Sequence, residues 1–120
     1  MLLKNIILVG LGGMIGSVLR YLTSYFIRHE SFPYATFIVN IAGSLLIGAV
    51  MGIAARQEGF SNWRLFLATG ICGGFTTFSA FAWENMQLLS QERYGSFIWY
   101  TGGTLVLGLA AVTAGYWITK

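Results

Sequence analysis

The sequence predicts an all-α integral membrane protein built from four transmembrane helices in a single domain. Hydrophobic residues fill 56% of the 120 positions and charged residues only 9%, against roughly 25% charged in an ordinary soluble domain. A mean hydropathy of +0.69 agrees. Short charged clusters divide the chain into four apolar stretches of about 20 residues or more, the length a bilayer core demands. Sixteen glycines and one proline, Pro33, favour closely packed membrane helices. The same composition excludes several classes. One cysteine, Cys72, cannot pair within the chain, so this is no disulfide-stapled mini-protein. The apolar content is too high for disorder. Seven basic residues give a net charge of +3 but form no run, so a nucleic-acid module is excluded as well.

The first span is expected at about 3–27, and Arg28-His29-Glu30-Ser31-Phe32-Pro33 closes it. It is longer than the apolar core of a signal peptide and lacks a small-residue cleavage site, so it reads as a retained helix. Pro33 suits the first turn of the second helix, expected at about 34–55 and closed by Arg56-Gln57-Glu58-Gly59. The third is expected at about 64–89, before Ser90-Gln91-Glu92-Arg93, and the fourth at about 94–119. Tyr25, Tyr34, Trp63, Tyr94, Trp99, Tyr116 and Trp117 fall near the span ends, where aromatic belts form.

Both termini share one side of the membrane, with Lys4, Arg56, Arg64 and Lys120. The other side has Arg28 and Arg93, joined by Arg20 if it snorkels that way. So even a split leaves two readings open: one weakly set orientation with cytoplasmic termini, or insertion both ways round and an antiparallel dimer. A four-helix bundle fills its own centre with side chains, so a transport path requires an oligomer. The pairs Gly12/Gly16, Gly48/Gly52 and Gly70/Gly74 have the spacing for such subunit contacts.

Polar groups within the spans are costly in hydrocarbon and mark function. At about 1.5 Å per residue, Asn40 lies about 9 Å from the side opposite the termini, with Ser44 one turn deeper. The same arithmetic puts Phe78 and Phe81 about 9 and 5 Å from that side, Tyr100 at about 9 Å, Thr104 at about 15 Å and Arg20 at about 5 Å. Asn40, Phe78, Phe81 and Tyr100 thus share a level, with Ser79 and Thr104 close by. Phe78 and Phe81 are spaced i, i+3 on one helix face. Two readings apply to them: lipid or core packing, or ring edges, weakly positive, facing a small anion. The amide of Asn40 and the hydroxyls of Ser79, Tyr100 and Thr104 are uncharged donors. Such a lining suits an anion that must shed water and still leave.

Gly70-Ile71-Cys72-Gly73-Gly74-Phe75-Thr76-Thr77-Phe78-Ser79 puts three glycines and three hydroxyl residues at mid-membrane. It reads either as a small-residue packing face or as an interrupted helix, the latter a recurring device for membrane ion sites. Glu84 falls near the headgroups and reads first as a wetted interfacial acid, second as a vestibule residue. Arg20 snorkels or caps carbonyls, with attraction of anions to a vestibule as the alternative. His29 has no assigned role, and Cys72 reads as a small buried residue. No metal-ligand cluster, nucleophile triad or phosphate loop stands in the sequence, so an enzyme is not expected.

Three motifs carry a family resemblance. Gly12-Gly13-Met14-Ile15-Gly16-Ser17-Val18-Leu19-Arg20-Tyr21 resembles the first-helix motif of the CrcB/Fluc fluoride channels. Phe37-Ile38-Val39-Asn40-Ile41-Ala42-Gly43-Ser44 resembles their second-helix motif. The run from Gly70 to Phe81 resembles the most specific signature, in the third helix. Length, span count and motif order match along the whole chain. The departures are Ala80, where a small hydroxyl residue is expected, and Gly108, where some members carry serine. The resemblance implies an antiparallel, dual-topology homodimer in the plasma membrane with two fluoride pores. It implies a third helix broken at Gly73-Gly74 and a structural sodium ion at the dimer centre, bound by main-chain oxygens of Gly73 and Thr76. It maps the pore asparagine to Asn40, the phenylalanine pair to Phe78 and Phe81, and the fourth-helix polar track to Tyr100 and Thr104. The function it implies is passive fluoride export. A small multidrug transporter, also short and four-span, would need a carboxylate in the first helix, and none stands before Glu30. A membrane scaffold would not need these polar groups at one depth.

Overall fold

The computed structural model describes residues 1–27 and 32–120. The predicted first connection, with Arg28, His29, Glu30 and Ser31, lies outside the described residues. The described chain is all helical: α1 Leu2–Phe26, α2 Tyr34–Arg56, α3 Ser61–Arg64, a π-helical segment Leu65–Cys72, α4 Gly73–Phe75, α5 Phe78–Ser90 and α6 Tyr94–Thr119. Four helical stretches, Leu2–Phe26, Tyr34–Arg56, Ser61–Ser90 and Tyr94–Thr119, are long and apolar enough to cross a membrane. With extents of 50 × 29 × 23 Å, the molecule is longer than a bilayer of about 40–45 Å including headgroups.

Local chemistry sets the boundaries. Pro33 sits just before α2, where its missing N–H costs nothing, and its carbonyl accepts the Phe37 N–H at 3.1 Å. Gly59, at φ +79°, turns the chain from α2 into the third span. Glu92, at φ 57°, closes α5 with a paired cap: the Arg93 N–H donates to Leu88 O and the Glu92 N–H to Leu89 O, the bonding of a Schellman motif.

The helices pack as two pairs. α1 lies on the first half of the third span, and α2 lies along α6. Both seams are glycine-lined. A Cβ on Gly12, Gly16 or Gly74 would come within 3.0 Å of backbone atoms across the first seam, and one on Gly48, Gly52 or Gly115 would do so across the second. This corrects the expectation for the glycine pairs. Gly12/Gly16, Gly48/Gly52 and Gly70/Gly74 join helices within one chain, because only a hydrogen side chain lets the backbones approach this closely. Many large apolar side chains on α1 and α6 remain exposed, among them Met14, Val18, Leu105, Leu109 and Ile118.

Candidate functional site

The third span is interrupted in an unexpected place. Gly73 has helical dihedrals, φ −61° and ψ −36°, and Gly74 lies within α4. The extended residues are Thr76, φ −84° and ψ 158°, and Thr77, φ −151° and ψ 121°. β-Branched threonine prefers extended backbone, whereas a glycine can stay helical when packing holds it, and Gly74 lies against Gly13. The expectation of a break at Gly73-Gly74 is therefore corrected to Thr76–Thr77.

The backbone groups released there find side-chain partners. The Thr77 N–H would reach Gly73 O in a continuous helix; instead it donates to Asn40 Oδ1 at 2.8 Å. Asn40 Nδ2 donates back to Thr77 O at 3.2 Å. The Ala80 N–H, which would reach Thr76 O, donates to Thr77 Oγ1 at 3.1 Å, so Thr77 is the N-cap of α5. Arg20 Nε donates to Gly74 O at 3.1 Å, placing a cation where α4 ends and the helix dipole is negative. Thr76 Oγ1 bonds back to Cys72 O at 2.7 Å.

Beside this interruption lies a groove of about 330 Å³ lined by residues of α2, the third span and α6. Asn40, Phe78, Phe81 and Thr104 line it, as do Ser44, Gly73 and Thr76. The rings of Phe78 and Phe81 are 5.8 Å apart and tilted by 49°. Their environments differ: Phe81 is 9% exposed, Phe78 78%. Thr104 Oγ1 is buried with no hydrogen-bond partner among the described residues, so this groove-lining residue keeps an unspent donor. Ser44 Oγ donates to Asn40 O at 2.6 Å.

Two of the expected lining residues stand elsewhere. Ser79 is exposed and pairs with the Thr77 hydroxyl at 3.3 Å; it falls in the first turn of α5, pointing off the groove face. Tyr100 is fully buried, and its hydroxyl donates to Glu84 Oε2 at 3.2 Å. Its ring forms the layer behind Phe81, at 5.1 Å. Glu84 is not a wetted interfacial acid. It is half-buried and also accepts the Thr36 hydroxyl at 2.5 Å. Arg20 caps a carbonyl, one of its two expected roles.

Three participants carried weaker signals. Thr77 stands three residues before Ala80, a capping spacing. Asn85, 8% exposed, accepts the Thr101 hydroxyl at 3.1 Å, and Thr36 is 7% exposed. Each is a polar residue inside an apolar span, which was the available clue. Among the described residues no group of three or more His, Cys, Asp or Glu gathers to hold a metal.

Residues 7–116 match the family model described as CrcB-like protein, Camphor Resistance (CrcB). The chain belongs to the CrcB family. It is 47% identical over 122 residues to a fluoride-specific ion channel FluC of Flavobacterium psychrophilum, covering 98% of each chain. It is 44% identical to a protein of the same name from Phocaeicola vulgatus, over 98% of this chain and all of the other. A third, from Azobacteroides pseudotrichonymphae, is 42% identical over 99% of this chain and 98% of its own length. CrcB membership covers the interruption, its Asn40 partner and the groove, all within the matched residues.

Proposed function

We propose that this chain is a fluoride-selective channel, letting fluoride leave the cell passively down its gradient, and is not an enzyme. The observation that carries the reading is the groove, where α2, α5 and α6 contribute Asn40, Phe78, Phe81 and Thr104 to one lining. An amide, a hydroxyl with an unspent donor and ring edges favour an anion without a formal positive charge to trap it. Family membership and relatives named as fluoride-specific channels support the same reading. The small multidrug transporter alternative lacks its carboxylate, since no acidic residue precedes Glu30.

The working unit is an antiparallel homodimer of dual topology in the plasma membrane. The near-even split of basic residues and the exposed apolar faces of α1 and α6 support it. At its centre we place a structural sodium ion on main-chain oxygens of Gly73 and Thr76 from both copies. The donors that would close helical rings on these two carbonyls are turned to Asn40 and to Thr77 Oγ1, and oxygen-only ligation suits a hard cation. Bound there, sodium would neutralise converging carbonyl dipoles.

Purified protein in liposomes, loaded with fluoride or chloride, tests the reading: fluoride should leave rapidly and chloride should stay. Equal efflux of both, or none, would overturn it. Reporter tags at the C-terminus should be found on both sides of the membrane; tags on one side alone would exclude dual topology.

A further inference from the structure

The connection between α2 and the third span encloses a second hollow, which shares no residue with the groove. It holds about 180 Å³ and is lined by Ala54, Gln57, Gly59, Phe60, Ser61 and Arg64. Gly59, at φ +79°, folds the connection back so that the end of α2 faces the start of α3. Ala54 and Phe60 are half-buried. Gln57, just past α2, and Ser61 and Arg64, on α3, stand exposed around them. Ser61 and Arg64 are spaced i, i+3 and so share a helix face. None of these three polar side chains has a hydrogen bond or ion pair among the described residues. We propose that this hollow is a lipid site: it takes the phosphate of an anionic phospholipid, held by Arg64, Ser61 and Gln57.

Chemistry selects the ligand. A guanidinium offers parallel N–H donors that match two oxygens of one phosphate. The Ser61 hydroxyl and the Gln57 amide add neutral donors. Glu58, the one acid at this end of the molecule, does not line the hollow. Lys4, Arg56, Arg64 and Lys120 all stand at this end, so an anion is drawn in and a cation repelled. Size sets a second limit. The hollow is smaller than the roughly 300 Å³ at which pockets for drug-sized ligands begin, so it suits a headgroup phosphate and not a bulky metabolite. Position decides the source. The hollow lies where α2 leaves the apolar layer and the third span enters it. Trp63, two residues beyond Ser61, is 58% exposed, and tryptophan at a span end marks the headgroup level. Phosphate at that level is tethered to lipid and far more concentrated than any free anion. The inference needs the four spans to cross a membrane and is independent of which ion the groove carries.

The experiment titrates full-length protein in detergent with phosphatidylglycerol and follows binding by native mass spectrometry. Wild type should hold one tightly bound lipid per chain, and millimolar inorganic phosphate should leave it in place. Diacylglycerol, which lacks the phosphate, should not compete. Arg64→Gln removes a charged donor and should weaken the first binding step about tenfold or more. Ser61→Ala should weaken it about threefold. Arg56→Gln removes a neighbouring charge that does not line the hollow, and should change binding by less than about twofold. All three substitutions fall on exposed side chains, so the lipid-free melting temperature should match wild type. Added phosphatidylglycerol should then raise that temperature in wild type and not in Arg64→Gln. Wild-type affinity in Arg64→Gln would overturn the inference. Equal losses in Arg56→Gln and Arg64→Gln would reduce binding to diffuse charge and overturn it too. Displacement by inorganic phosphate would make the ligand a free anion, and competition by diacylglycerol would make it an acyl chain; either result overturns the lipid-phosphate site.

Discussion

Between Ser61 and Phe75 the third span is fixed by backbone lying against backbone, with Gly12, Gly13 and Gly16 of α1 on one side and Gly70, Ile71 and Gly74 on the other. Between Phe78 and Ser90 the same span is fixed by side chains reaching in from α2 and α6: Asn40 at its head, then Thr36, Tyr100 and Thr101. The first half has no room for a Cβ at Gly12, Gly16, Gly70 or Gly74 and asks little of side-chain chemistry. The second half accommodates side chains of many sizes but depends on particular donors and acceptors. The groove lies where the two regimes meet, with Gly73 from the first, Thr76 and Thr77 between them, and Phe78 and Phe81 from the second.

The contrast can be broken most forcefully at Gly16. A valine there would drive its Cβ into the Ile71 carbonyl, and because backbone cannot swing aside, the cost should exceed about 3 kcal/mol. Thermal unfolding in detergent should show a collapsed transition or no folded protein; a variant melting with wild type would mean the seam is not tight. Phe81→Ala comes next. Emptying a buried ring site costs about 3 kcal/mol, so both the melting temperature and fluoride flux should fall. A melting temperature matching wild type would take Phe81 out of the core. Asn40→Ala leaves the Thr77 N–H and C=O unpaired, at about 2 kcal/mol, and should raise amide hydrogen exchange over the first turns of α5 while leaving α4 protected. Equal deprotection of both halves would dissolve the distinction between them. The smallest effect on stability is expected at Phe78. Its ring is mostly exposed in one chain, so Phe78→Ala should shift stability by less than about 0.5 kcal/mol yet abolish most fluoride flux. Wild-type flux in that variant would assign the ring to packing alone.

The four membrane-crossing helices were legible because charges punctuate the apolar stretches and nothing else competes with that signal. Much of the groove was legible too: Asn40, Phe78, Phe81 and Thr104 were grouped by counting residues inward from the span ends. The counting failed where the chain departs from an α-helix. Leu65–Cys72 is π-helical and Thr76–Thr77 is extended, and an extended residue advances about 3.3 Å, not the helical 1.5 Å. Counting also gives no side-chain direction: Glu84 meets Thr36 and Tyr100 on two other helices, and Ser79 stands exposed, off the groove. Tyr100 was placed at the right level, but a depth says nothing about which partner its hydroxyl meets. The break was expected at Gly73-Gly74 because glycine has poor helix propensity. The contact of Gly74 with Gly13 reverses that preference, and no local pattern reveals it.

The reciprocal bonds between the Asn40 amide and Thr77 have a consequence for biogenesis. Newly inserted membrane segments with unpaired backbone are held in an unfavourable state until something satisfies them. Here the N–H and C=O of Thr77 are answered by a residue of the preceding span, which leaves the ribosome about forty residues earlier. The kink can set as soon as the second and third spans meet, while the fourth is still being made. The chain then carries its bend ready-formed before the fourth span arrives, and no helix has to be remodelled inside the lipid.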